Sequence, residues 1–165
     1  MNSILVVDDE TVSCAEFART LEDLGFKVDV APNVESGVSL AEAAQYDAIL
    51  VEFNIRSKRR AHPRTGNGLQ LVRQLRALDV NTPVLIFTAM QGELYETASL
   101  NAGADDFVLK TTSIPSLASR LRAHIRKHQQ KLVERTVWEK VPMPAARIGR
   151  RKSGQFRTLS EPERA

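Results

Sequence analysis

Ile4-Leu5-Val6-Val7-Asp8-Asp9-Glu10 is a run of four apolar residues, three of them β-branched, that stops on three consecutive acids. Such a run is too short for a helix that buries itself, and its composition favours a strand covered on both faces. Three further segments share the pattern. Ala48-Ile49-Leu50-Val51 ends in Glu52, Val84-Leu85-Ile86-Phe87 ends in Thr88-Ala89, and Asp106-Phe107-Val108-Leu109 ends in Lys110. Four apolar strands, each carrying a polar or charged group at its carboxyl end, are what parallel strands present at one edge of a sheet.

Between the strands the apolar period changes from continuous to helical. Val12, Ala15, Phe17, Ala18, Leu21 and Leu24 predict a first helix from Thr11 to about Leu24, closed by Gly25. Lys27 to Val30 alternates as a strand. Asn33 is placed to cap a second helix running to about Ala44, ahead of a strand over 47–52. Gly68 precedes a third stripe (Leu69, Leu71, Val72, Leu75, Leu78), and Thr82-Pro83 opens the fourth strand. A fourth helix is expected over about Glu93 to Ala102, and a fifth from near Ser113, with Pro115 tolerated in its first turn. Five β–α units in succession require parallel strands with right-handed crossovers, hence an α/β sheet wrapped on both faces. Asp8, Asp9, Glu52, Thr88 and Lys110 would then converge beyond its carboxyl edge.

These motifs, in this order and nearly this spacing, resemble the receiver domain of bacterial two-component response regulators over roughly residues 1 to 125. The resemblance implies a flavodoxin-like doubly wound (βα)5 fold with strand order 2-1-3-4-5, and a phosphorelay function in which a strand-end carboxylate accepts phosphate. It places Glu52 at the acceptor position, where the family has aspartate. It implies Mg2+ held directly by Asp9, through water by Asp8, by Glu52 and by the Asn54 backbone carbonyl. Lys110 and Thr88 would contact phosphoryl oxygens, and Phe107 would occupy the aromatic switch position. A hard cation wanting near-octahedral oxygen suits such a set.

Four departures limit what carries over. Glutamate reaches roughly 1.5 Å further than aspartate, and displacements of about 1 Å cost on the order of a hundredfold in a position-dependent reaction. Phosphorylation at Glu52 should therefore be slow or absent, and Mg2+ binding weakened or lost. The longer carboxylate could instead reach Lys110 and Thr88 and bias the domain toward an active-like state, or the site could be degenerate. Second, Gly68 lies sixteen residues after Glu52, where the family has a glycine eight residues on. The loop of residues 53–67 therefore holds an insertion rich in Arg56, Lys58, Arg59, Arg60 and Arg64. It could close over the acidic pocket, bind a phosphate-bearing partner, or be a solvated excursion. Third, Phe107 lacks the hydroxyl that a tyrosine would offer, and it is equally readable as strand core. Fourth, Thr111 replaces the expected proline after Lys110, relaxing that loop.

Charge is unevenly distributed. Residues 1–125 carry 12 basic and 16 acidic side chains, net −4; residues 126–165 carry 11 and 4, net +7. The receiver is expected over 1–128. Residues 129–165 form a basic extension, a continuation of the last helix followed by a disordered tail containing Pro142, Pro144, Gly149 and Gly154. Through 126–165 the chain could attract nucleic acid, an acidic protein face or an anionic membrane surface. Solvated disorder is the plainer reading, and Trp138 could anchor the tail. Forty residues are too few for a winged-helix output domain. No apolar run is long enough to span a membrane and no signal peptide is legible, which points to a cytoplasmic protein. Cys14 cannot form an internal disulfide and reads as a small buried hydrophobe. His124 and His128 lie four apart on the last helix without a third ligand nearby, and His62 falls in the basic loop.

The sequence thus predicts a single-domain receiver acting as a protein-interaction module through its fourth helix, fifth strand and fifth helix, with no catalytic turnover of its own. Expected partners are a histidine kinase or another signalling protein, with a homodimer left open. Two alternatives stand beside it: a receiver still phosphorylatable at Glu52, and a nucleic-acid-binding regulator acting through the basic tail and loop.

Overall fold

The computed structural model describes residues 1–55 and 67–140, with the side chains of 11–13 and 137–140 left aside. The elements alternate without exception: β1 (Asn2–Val7), α1 (Thr11–Asp23), β2 (Phe26–Ala31), α2 (Val34–Ala43), β3 (Ala48–Val51), α3 (Asn67–Ala77), β4 (Val84–Thr88), α4 (Glu93–Asn101), β5 (Asp106–Leu109) and α5 (Ile114–Lys140). The strands form one parallel sheet in the order β2-β1-β3-β4-β5.

The apolar strands are continuous because each residue has a covered face to point into. Leu5, Val7, Ile49, Val51, Val84 and Ile86 enter one core, packed by Val34 of α2 and by Leu71, Val72 and Leu75 of α3. Their immediate neighbours Ile4, Val6, Ala48, Leu50, Leu85 and Phe87 enter the other, against Leu21 of α1 and Leu117, Leu121 and Ile125 of α5. The period-2 alternation of a strand therefore divides these residues between two cores rather than between core and solvent. Each fully buried Leu, Ile or Val contributes about 1.5–3 kcal/mol.

Helix ends follow local chemistry. Asn33 is extended, and its side-chain oxygen accepts from Ser36 N at 3.0 Å, capping α2. Gly25, at φ +87°, takes the left-handed conformation that ends α1. The strand expected over 47–52 is shorter by one residue at each end. Asp47 instead uses its carboxylate to accept from Ser3 N at 2.7 Å, and Glu52 is released from the strand into the loop beyond it.

α3 begins at Asn67, so the insertion after Glu52 leaves the helix where a receiver needs it. Gly68 is the reason the approach is this close. A Cβ there would lie 2.1 Å from the Glu52 carbonyl oxygen, and Gly68 N donates to Phe53 O at 3.0 Å. Asn67, itself buried, donates from Nδ2 to Ile55 O at 2.9 Å, joining the two ends of the excursion. The basic residues Arg56 to Arg64, His62, and the tail from 141 onward lie outside the described residues.

Candidate functional site

The strand order reverses between β1 and β3, and the loops leaving those strands diverge there. Asp8 and Glu52 stand on the two sides of that point, held by Asp8 N to Ala31 O at 3.0 Å and Glu52 N to Val7 O at 2.9 Å. Asp9 follows Asp8 ahead of α1. Thr88, fully buried, closes β4, and Lys110 follows β5 with its backbone N–H bonded to Thr88 O at 2.8 Å. That bond sets the lysine's position although Thr111 stands where a proline was expected.

Glu52 is the centre of the arrangement. Its Oε1 accepts from Thr88 Oγ1 at 2.6 Å and from Asn54 N at 3.2 Å, while Oε2 pairs with Lys110 Nζ at 2.9 Å. Lys110 Nζ also reaches Asp8 Oδ2 at 2.7 Å, and Asp8 Oδ1 accepts from Glu10 N at 2.9 Å. Thr88 Oγ1 in turn accepts from Met90 N at 3.2 Å, so the hydroxyl ties the Glu52 carboxylate to the loop that opens α4. Only 9% of the Asp8 side chain and 11% of Glu52 are exposed, against 27% of Lys110, so these are charge-assisted bonds largely shielded from water. Burial pulls the Lys110 ammonium toward neutrality. The hydrogen bonds and charges of Asp8 and Glu52 outweigh burial and hold its pKa above the usual lysine range.

Cys14 on α1 is buried next to the site. Burial first, and then the Asp8 carboxylate, push its thiol up to about 11. It is a protonated packing group, as its lone occurrence in the sequence suggests.

Phe107 is half-buried on β5, packed toward the core face that holds Ile86, Met90 and Tyr95. Asn54, expected to offer its carbonyl to a metal, gives its N–H to Glu52. Two contributors were not anticipated. Phe53, the residue after Glu52, meets the Tyr95 ring edge-on with centroids 5.3 Å apart, and Asn67 anchors the loop as described. The contact between Phe53 and Tyr95 links the acceptor position to α4 across forty-two residues of sequence, a separation that no local period encodes.

Residues 4–122 match the response regulator receiver domain family. This chain belongs to that family. It is a receiver of two-component signal transduction with the flavodoxin-like fold. Response regulator ArlR of Staphylococcus saprophyticus is 32% identical over 131 residues, covering 79% of this chain and 56% of that protein. The transcriptional regulatory protein CusR of Escherichia coli is 29% identical over 131 residues, 79% of this chain and 54% of CusR. This receiver thus spans about half the length of the curated relatives it matches. Among solved structures, the Francisella response regulator 1452 receiver domain superposes with a TM-score of 0.67 at 26% identity, covering 77% of this chain and 98% of that one. The BeF3-activated N-terminal receiver domain of Klebsiella pneumoniae RstA gives 0.68 at 27%, covering 76% and 99%.

Receivers generally bind Mg2+, a cation that takes oxygen ligands in octahedral geometry. All four carboxylate oxygens of Asp8 and Glu52 are engaged by N–H, O–H or ammonium donors. Among the described residues no group of three or more His, Cys, Asp or Glu side chains is arranged to hold a metal. A cation bound through oxygens of Asp8 and Glu52 would compete with Lys110 and Thr88 for them, while Asp9, the residue expected to ligate directly, brings a further buried carboxylate oxygen, Oδ2, next to Asp8. No helix among the described residues is long and apolar enough to cross a membrane.

Proposed function

We propose that this receiver engages its signalling partner without being phosphorylated, with Glu52 holding the domain in an active-like state. One observation carries the reading: the Glu52 carboxylate makes the contacts to Thr88 Oγ1, at 2.6 Å, and to Lys110 Nζ, at 2.9 Å, that the resemblance assigns to phosphoryl oxygens. The extra methylene of glutamate supplies the reach. The Thr88 hydroxyl thereby points to the acceptor side, Met90 N donates to it, and Phe107 is packed against the core that holds Ile86.

The surface that would report this state is α4, β5 and the start of α5. Leu94 and Leu100 on α4 are exposed at 77% and 46%. Where α4, β5 and α5 meet, a depression of about 380 Å3 is lined by Glu93, Glu96, Phe107 and Arg120. Exposed leucines together with a charged hollow on the same elements suit a protein partner, a histidine kinase or another signalling protein, and a second copy of the chain is the alternative occupant.

Convergence of Asp8, Thr88 and Lys110 on Glu52 also supports a second reading, a receiver still competent to accept phosphate there. Intact-mass measurement after incubation with acetyl phosphate and Mg2+ separates the two. Under the first reading the native chain stays unmodified and Glu52→Asp gains phosphate. Hydrogen exchange around Met90 and Phe107 should be faster in Glu52→Gln, which keeps the side chain's shape but not its charge. Phosphate added to the native chain and lost in Glu52→Gln would overturn the first reading and establish the second.

A further inference from the structure

α4 has little of its own to hold it in place. It is nine residues long, too short to be stable alone, and Gly92, at its amino end with φ +122°, gives it no side-chain cap. Of its apolar side chains, Leu94 and Leu100 are exposed, and Tyr95 and Ala98 pack against the core. Ala98 contributes a single methyl, so the Tyr95 ring is the largest group fastening this helix. Its backbone is tied in as well, since the fully buried Ser99 donates from Oγ to Tyr95 O at 2.7 Å.

The ring that Tyr95 meets belongs to Phe53, edge-on with centroids 5.3 Å apart. Phe53 is buried, and the peptide unit joining it to Asn54 is held at both ends. Its carbonyl accepts from Gly68 N at 3.0 Å, and its N–H, that of Asn54, donates to Glu52 Oε1 at 3.2 Å. The same Oε1 accepts from Thr88 Oγ1 at 2.6 Å, which in turn accepts from Met90 N at 3.2 Å. One carboxylate oxygen therefore grips two segments, the one that carries Phe53 and the one that leads into α4. A charged acceptor holds its donors roughly twice as strongly as a neutral one. A change in the charge or position of that oxygen thus acts on both segments at once. The Thr88 branch ends at Met90, ahead of Gly92, whereas the Phe53 branch ends on the helix itself.

We propose that Phe53 and Tyr95 are positioning residues that carry the state of the Glu52 carboxylate to α4, alongside the branch through Thr88 and Met90. The inference rests on the reading of α4 as a surface that reports that state. Plain packing is the competing explanation, because an edge-on aromatic pair is stabilising whatever Glu52 does. The two differ in one respect. Effects of independent sites add, whereas residues on a shared route are non-additive.

The test is amide hydrogen exchange of the whole chain, resolved by residue with NMR. It compares the native protein, Glu52→Gln, Phe53→Leu, Tyr95→Leu, and each aromatic variant combined with Glu52→Gln. Exchange over residues 98–101 reads the opening of α4, and exchange at Met90 reads the Thr88 branch. Phe53→Leu should speed exchange over 98–101 about two- to tenfold, the range that an edge-on aromatic pair implies, and Tyr95→Leu should do the same from the α4 side. Glu52→Gln alone should speed both regions. In either aromatic variant it should still speed Met90 but change residues 98–101 by less than about twofold. An undiminished effect of Glu52→Gln on residues 98–101 in both aromatic variants would overturn the proposal, since the pair would then be packing alone. So would native rates over 98–101 in both Phe53→Leu and Tyr95→Leu, or in Glu52→Gln. The active-like reading fails separately, if Glu52→Gln leaves Met90 and Phe107 at their native rates.

Discussion

Replacing Lys110 by Met removes the cation that stands between two shielded carboxylates while keeping an aliphatic stem of similar length. In the native chain Nζ is 2.7 Å from Asp8 and 2.9 Å from Glu52. Removing one partner of a buried ion pair costs about 3–5 kcal/mol, because the remaining charge is left without compensation. Lys110 is 27% exposed, so water can enter the vacated position, and the loss should fall at about 2–3 kcal/mol. In urea denaturation followed by far-UV circular dichroism, that corresponds to a midpoint lower by roughly 1 M or more with an unchanged slope. The pH dependence has a defined sign. The folded-state pKa of Lys110 is raised, so its stabilisation is fully present below the unfolded value of about 10.4 and is lost as pH rises through the folded one. The gap between native and Lys110→Met should be constant from pH 7 to 9 and narrow only at more alkaline pH. A difference under about 0.5 kcal/mol at pH 7 would refute the reasoning, since it would mean that the ammonium is solvated rather than bridging.

Gly68→Ala should lower stability by about 3 kcal/mol or more, read from the same urea midpoints, because a Cβ placed 2.1 Å from the Glu52 carbonyl forces α3 off β3. Asn33→Ala should cost about 1 kcal/mol through loss of the α2 cap, with Asn33→Ser recovering most of it. Cys14, its thiol pushed up to about 11 by burial and by Asp8, should react with a disulfide reagent at pH 7 about a hundredfold more slowly than in the urea-unfolded chain, and equal rates would contradict its burial.

The architecture was legible because its physical causes are local. Runs such as Ile4–Val7 and Ala48–Val51 can be continuously apolar only when both faces are covered, and the helices between them declare themselves by period and by residues such as Asn33 and Gly25. The polar residues at the strand ends could be named for the same reason, since every parallel strand delivers its last side chain to one edge. What those side chains do to one another is a matter of ångströms, and spacing in sequence carries no ångströms. The sequence left open whether Glu52 replaces a phosphate's contacts or merely ruins a site. Tertiary placement put its carboxylate on Thr88 and Lys110, thirty-six and fifty-eight residues away along the chain. The Phe53–Tyr95 contact was equally invisible, because it is made by elements whose adjacency is set by crossover packing. Composition and period thus determined by themselves which residues reach the sheet edge and which enter the core. Only the folded chain decided which charges meet, because Coulomb and hydrogen-bond energies depend on separations that the packing of distant segments sets.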